Sequence, residues 1–170
     1  YCERKSAVDR NETDSNSKQS HSSIFDDVPR IDLLKYPKPD VPLTCGIYCF
    51  RNREDGSPAY IGSATGQRGL RARISQHLNP IYLEARPRVF SRFDEAQVAT
   101  GITHNGKLVI EKSYFRKQLA RRHDLAPGTE CLTYLISRFT LSYVEFPDAS
   151  REEILLAESE LIEDQNPTYN

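Results

Sequence analysis

Gly46-Ile47-Tyr48-Cys49-Phe50-Arg51-Asn52-Arg53-Glu54-Asp55-Gly56-Ser57-Pro58-Ala59-Tyr60-Ile61-Gly62 is the stretch on which the fold is decided. Two short runs of strand-favouring residues, Gly46 to Phe50 and Ala59 to Gly62, flank a polar segment whose Asp55-Gly56 is a turn signal. The pattern predicts a β-hairpin. Side chains alternate across a strand, so Ile47, Cys49, Ala59 and Ile61 share one face, and Tyr48, Phe50 and Tyr60 share the other. Two tyrosines therefore face the same side.

Downstream, Leu70, Ile74 and Leu78 recur at four-residue spacing and predict a helix with an apolar stripe. Arg73 and His77, also four apart, project from neighbouring turns at the edge of that stripe. From Asn79 to Arg138 periodicity is weak, with a short helix expected near Asp94 to Val98 and a turn at Asn105-Gly106. The clearest element there is basic. Lys112 to Arg122 has helix-forming composition, with Phe115 and Leu119 as anchors and Lys112, Arg116, Lys117, Arg121 and Arg122 as five positive charges. Thr140 to Phe146 alternates again and reads as a third strand, closed by Pro147.

The terminal segment is the most informative on physical grounds. Ser150 with Glu153 makes a capping-box pattern that opens a helix carrying Ile154, Leu155, Ala157, Leu161 and Ile162 on one face. At 100° per residue Glu158 falls within that stripe, whereas Glu152, Glu153, Glu160 and Glu163 fall outside it. An inward carboxylate needs a cation, a metal or a hydrogen-bond donor facing it. A structural ion pair with an arginine satisfies that need as well as a metal does.

These residues together resemble the GIY-YIG nuclease family. Gly46-Ile47-Tyr48 and Tyr60-Ile61-Gly62 reproduce its two name-giving motifs; Arg73 and His77 match its helix arginine and the following His or Tyr. Glu158, the apolar pair Leu161-Ile162 and Pro167-Thr168-Tyr169-Asn170 match its terminal block. The resemblance covers residues 46 to about 78 and 140 to 170. It implies an α+β fold: a small three-stranded antiparallel sheet flanked by helices, with a helical, basic insertion at about 79–138. It also implies metal-dependent hydrolysis of DNA phosphodiester bonds, with one Mg2+ or Mn2+ ion held by Glu158. In that scheme Tyr48 is the base for the attacking water, although free tyrosine titrates near 10 and needs help from Arg73 and the metal. Arg73 contacts the scissile phosphate, Tyr60 positions water or phosphate, His77 relays a proton from the Tyr48 hydroxyl or orients it, and Asn170 fixes the metal-site geometry.

Composition bounds these expectations. At 170 residues and 38% hydrophobic content the chain suits one core. Residues 1–40 read as a polar flexible segment or linker and 41–170 as the domain. The net charge of −1 hides an uneven spread: Gly66 to His123 holds twelve Lys or Arg against four Asp or Glu, a local balance of +8 available to DNA phosphates. No run approaches the roughly 18 apolar residues that span a bilayer, and no secretory signal opens the chain. The expectation is an intracellular protein, cytoplasmic or, in a eukaryote, nuclear. The absence of methionine and the opening Tyr1 lead to the expectation of a fragment with further domains or partners outside it. Cys45 and Cys49 are too far apart along a strand for a disulfide, and the remaining Cys and His lack the close spacing of zinc ligands. One site makes one nick, so double-strand cutting calls for a dimer, successive events or a partner. Two other readings compete: a catalytically silent nucleic-acid-binding module, against which the intact polar set argues, and a nuclease acting on structured RNA.

Overall fold

The computed structural model describes residues 24–79, 103–104, 107–108, 111, 113–126 and 128–170. In chain order the elements are β1 (Ile31–Asp32), β2 (Gly46–Asn52), β3 (Pro58–Ala64), α1 (Gly69–Leu78), β4 (Thr103–His104), β5 (Lys107–Leu108), α2 (Tyr114–His123), α3 (Thr129–Arg138), β6 (Phe139–Glu145) and α4 (Arg151–Gln165). The fold is α+β, built on an antiparallel sheet in the order β1-β6-β2-β3. The main sheet has four strands, not the three expected. The fourth, β1, is only two residues long and lies in a polar stretch, so it leaves no alternation in the sequence; it pairs with β6 through Ile31↔Leu141 and Asp32↔Thr140.

Within the segment read as a linker, Phe25 and Leu33 are buried, on opposite faces of the sheet. Single apolar anchors among polar residues give no periodicity. Residues 1–23 lie outside the described residues. In the expected helical insertion, the described residues form the antiparallel pair β4-β5 together with α2 and α3. The helix expected at Asp94 to Val98, the Asn105-Gly106 turn and Lys112 lie outside the described residues.

Helices cover both faces of the sheet. On one face Leu70, Ile74 and Leu78 of α1 pack with Phe115, Leu119 and Leu135 against Tyr48, Phe50, Tyr60, Phe139 and Leu141. Each fully buried Leu or Ile contributes about 1.5–3 kcal/mol relative to exposure. On the other face Ile47, Cys49 and Ile61 pack with Phe25 and with Ile154, Ala157, Leu161 and Ile162 of α4. Leu155, expected in that stripe, is 40% exposed, because it lies 100° round the helix from the buried Ile154. Ala59 also changes face: the register shift between Phe50 and Arg51 pairs Tyr60 and Pro58 with consecutive β2 residues, leaving Ala59 as the extra residue of a bulge that joins the Tyr48 cluster.

Helix α4 opens as its sequence predicts. Ser150 Oγ accepts from the Glu153 amide, and the Glu153 carboxylate accepts from the Ser150 amide. It ends at Asn166, whose φ of 44° is the left-handed conformation that asparagine tolerates, followed by Pro167. That turn sends Tyr169 and Asn170 back along β3, the outer strand. There the Tyr169 amide donates to Ala59 O, and Asn170 binds Ile61 twice, Oδ1 accepting from its amide and Nδ2 donating to its carbonyl. An otherwise bare sheet edge is thereby paired over the residues that lead into the site.

Candidate active site

The candidate site lies where β2, β3 and α1 meet. Tyr48 stands opposite Gly62 across the hairpin, and a Cβ at residue 62 would strike the Tyr48 hydroxyl and lie 2.6 Å from Cζ. A Cβ at Gly46 would strike the carbonyl of Val144 on β6. The two motif glycines are therefore steric requirements: one admits the neighbouring strand and the other admits the tyrosine ring.

Tyr48 is fully buried, and its Oη lies 2.7 Å from His77 Nε2. Its ring sits 6.3 Å from that of Tyr60, which stacks on Phe115 at 4.9 Å and 9°. Burial pushes the Tyr48 phenol well above its usual value of 10.0; the charges of Tyr60 and Glu158 add to this, while Arg73 opposes it through its charge and a hydrogen bond. Tyr60 is raised by burial too, against the pull of Arg73. Burial, with Arg73 and Arg116, drives His77 well below 6.5 and so keeps its ring neutral.

Arg73 is half-buried. Burial works against its charge, but Tyr48, Tyr60 and Glu158 outweigh that effect and raise its pKa. Its Nη1 donates to Gln76 Oε1 at 3.2 Å, yet its buried Nε has no partner. Beside it runs a groove of about 350 Å3 lined by Ser63, Gly66, Arg68, Gly69 and Gln76 among others. An arginine that lines an open groove and keeps one donor unspent among the described residues has hydrogen-bonding capacity left for an anionic oxygen.

Glu158 comes from α4, on the opposite face of the sheet, and accepts a 2.6 Å hydrogen bond from Ser63 Oγ on β3. Among the described residues it forms no ion pair, with Arg73 or any other cation. Among the described residues the arginine ion pair that the sequence left open is not formed. A half-buried carboxylate held by one hydroxyl and making no ion pair among the described residues fits a hard, largely hydrated divalent ion, which takes few protein ligands.

The predicted residues divide clearly. Tyr48, Tyr60, Arg73 and His77 converge, with Glu158 felt electrostatically by the first three. Asn170 stands apart from their side chains, its amide spent on the Ile61 backbone. Of the basic helix, Arg121 and Arg122 are exposed and Lys117 is half-buried, with Arg122 5.0 Å over the Tyr169 ring. Arg116 is a correction: expected on the DNA-facing surface, it is 0% exposed. Its Nε and Nη2 grip both oxygens of buried Glu111 at 2.9 and 2.8 Å, and its Nη1 donates to His77 O at 2.6 Å.

Three residues outside the sequence-predicted set, Ser63, Ser113 and Glu111, hold the site together. Ser63 orients Glu158. Ser113 caps α2 by accepting from the Arg116 amide, and its Oγ lies 2.7 Å from His77 Nδ1. Glu111 accepts from the Ser113 amide and, with Arg116, closes the network. Ser113, three residues before Arg116 at the mouth of a helical pattern, carried an N-cap signal.

Comparison of the sequence with protein-family descriptions and with curated proteins gives no match. Among solved structures, the chain is similar to two point mutants of the GIY-YIG N-terminal endonuclease domain of UvrC from Thermotoga maritima, each bound to its catalytic divalent cation. They are 19% and 20% identical, and the match covers 81% of this chain and 93% of theirs with a TM-score of 0.38. That superposition is too loose to carry site geometry from them to this chain.

Proposed function

We propose that this chain is a metal-dependent endonuclease that hydrolyses a DNA phosphodiester bond at a single site. The observation that supports it is the convergence on Arg73, which lines a groove with Ser63, of a buried tyrosine-histidine pair and of a carboxylate that Ser63 holds and that makes no ion pair among the described residues. Glu158 would hold one Mg2+ or Mn2+ ion. When bound, the ion supplies positive charge to a phosphate oxygen and to the Tyr48 hydroxyl.

The remaining roles belong to the chain itself. Arg73 binds and orients the scissile phosphate through Nε. Tyr48 first releases its own proton to solvent and then, as phenolate, takes one from water as the water oxygen bonds to phosphorus; the bond to the 3′ oxygen breaks, and that oxygen takes a proton from solvent. Burial holds Tyr48 neutral at rest, so the step depends on positive charge from Arg73 and the ion. Tyr60 positions the water or phosphate. Asn170 acts through β3, steadying the strand that carries Tyr60 and Ser63. Lys112, Lys117, Arg121 and Arg122 hold flanking phosphates; Arg116 does not.

The test is supercoiled plasmid incubated with the chain in Mg2+ or EDTA, alongside Glu158→Ala and Arg73→Ala variants whose folding is checked by circular dichroism. Relaxed or linear DNA that forms only with metal and vanishes in both folded variants is expected. Salt-sensitive binding without cleavage would mean a binding module, and preferential inhibition by structured RNA would move the substrate to RNA. Activity surviving in Glu158→Ala overturns the metal ligand.

A further inference from the structure

The bond between Ser113 and His77 settles a question that distance alone leaves open: which nitrogen of the neutral imidazole carries the proton. A hydroxyl has one hydrogen to donate and two lone pairs to offer. Ser113 is fully buried, and its Oγ meets two groups, the Arg116 amide and His77 Nδ1. The amide can only donate, so it occupies a lone pair. Among the described residues the serine hydrogen then has a single acceptor available, His77 Nδ1. A buried O–H left without an acceptor carries the full desolvation penalty of that group, so this arrangement outweighs its mirror image.

We infer that Ser113 is a positioning residue that donates to His77 Nδ1, so that His77 carries its proton on Nε2 and donates it to Tyr48 Oη. This goes beyond the proposed nuclease reading, on which its catalytic meaning rests: His77 does not receive the Tyr48 proton but joins Arg73 as a second N–H donor holding the phenolate. The hydrogen count closes at the other end. Tyr48 Oη, 2.7 Å from His77 Nε2, has two lone pairs, so it accepts from the ring and still feels the pull of Arg73. The serine is itself fixed from two directions, Glu111 accepting from its amide and the Arg116 amide donating to its hydroxyl, while Arg116 Nη1 holds the His77 carbonyl. The start of the basic helix is thereby wired to the tyrosine through groups that never meet solvent. The burial that keeps His77 neutral supports the same arrangement.

The experiment is long-range 1H–15N correlation of the His77 ring, assigned through its own backbone, in the full chain and in two variants. Ser113→Thr keeps both the cap and the donor. Ser113→Asp keeps a good cap but offers only acceptors, which draws the proton to Nδ1. The expected result is Nε2–H in the parent and in Ser113→Thr, and a protonated Nδ1 in Ser113→Asp. A protonated Nδ1 in the parent, or an unchanged ring in Ser113→Asp, overturns the assignment. Plasmid cleavage is read in parallel. Ser113→Thr should cut within about twofold of the parent and Ser113→Asp at least about tenfold more slowly, the scale of losing a residue that orients a catalytic histidine. Equal cleavage with an inverted ring overturns the positioning role. Absence of cleavage in the parent would sink the nuclease reading and leave the ring assignment intact.

Discussion

Two arginines on one face of the sheet divide the molecule into a part that is closed and a part that is open. Arg116 of α2 has every guanidinium nitrogen engaged, two on Glu111 and one on the His77 carbonyl, and no exposed surface. Arg73 of α1 touches Gln76 and Tyr48 and leaves Nε unpartnered beside a groove. Arg51 also has a buried Nε without a hydrogen bond, but Asp26 and the Phe25 ring answer its charge. The difference teaches that burial of a cation is not a mark of function. What separates the two is whether donors remain to be given to something outside the chain.

Substituting each arginine puts this division at its greatest risk. Arg116→Ala strands the buried Glu111 carboxylate and should cost about 3–5 kcal/mol in chemical denaturation, with replacement of both partners by leucine or methionine recovering most of it. Arg73→Ala should change stability by no more than about 1 kcal/mol while lowering plasmid cleavage about a hundredfold or more, since it removes a donor to the developing phosphate charge. A stable Arg116→Ala, or an unfolded Arg73→Ala, would exchange the roles of the two.

Next in size is Gly62→Ala. The added Cβ meets the Tyr48 hydroxyl and ring inside a packed hairpin, and overpacking of this kind costs about 1–3 kcal/mol. Thermal unfolding should record that loss, and Tyr48→Phe in the same chain should restore part of it by removing the hydroxyl. No recovery would mean that the clash is relieved by strand movement instead.

How much of this was visible beforehand follows the same division. The hairpin, α1 and α4 were legible because alternation, four-residue spacing and a capping box are local patterns. Glu158 was picked out by its angle on a helical wheel. Arg116 obeys the same geometry, since Phe115, Arg116, Leu119 and Ala120 form the buried side of α2. It was read as a surface charge because its partner, Glu111, lies outside the helix. The bond from Ser113 to His77 joins residues 36 apart and leaves no trace in any short window. α3 lies in the stretch of weak periodicity, and β1 is too short to alternate.

Asn170→Ala probes a third kind of residue, one that acts on the open site from the closed side. It removes two hydrogen bonds to Ile61 and should cost about 1–2 kcal/mol, seen as faster hydrogen exchange at the Ile61 amide. The effect on cleavage should be smaller than that of Arg73→Ala, because the amide binds β3 and not the groove. A loss as large as Arg73→Ala, with unchanged exchange, would place Asn170 among the groups that touch the reacting atoms.

Acidity separates the two parts with the gentlest perturbation. His77 is held well below 6.5 by burial and by Arg73 and Arg116, so the folded chain refuses a proton that the unfolded chain accepts near 6.5. Its contribution to stability is whole above that pH and declines as pH falls below it, a trend readable as a falling urea midpoint that His77→Gln should flatten. Tyr48 moves the other way. Its phenol titrates above 10 because it is buried, so the fraction able to take a proton from water grows about tenfold per pH unit across the neutral range. Cleavage under subsaturating DNA should therefore rise through pH 7 to 9 without a plateau, while stability in the same window stays flat with respect to His77. A cleavage profile that levels near 6.5 would make the histidine, and not the tyrosine, the group whose proton limits the reaction.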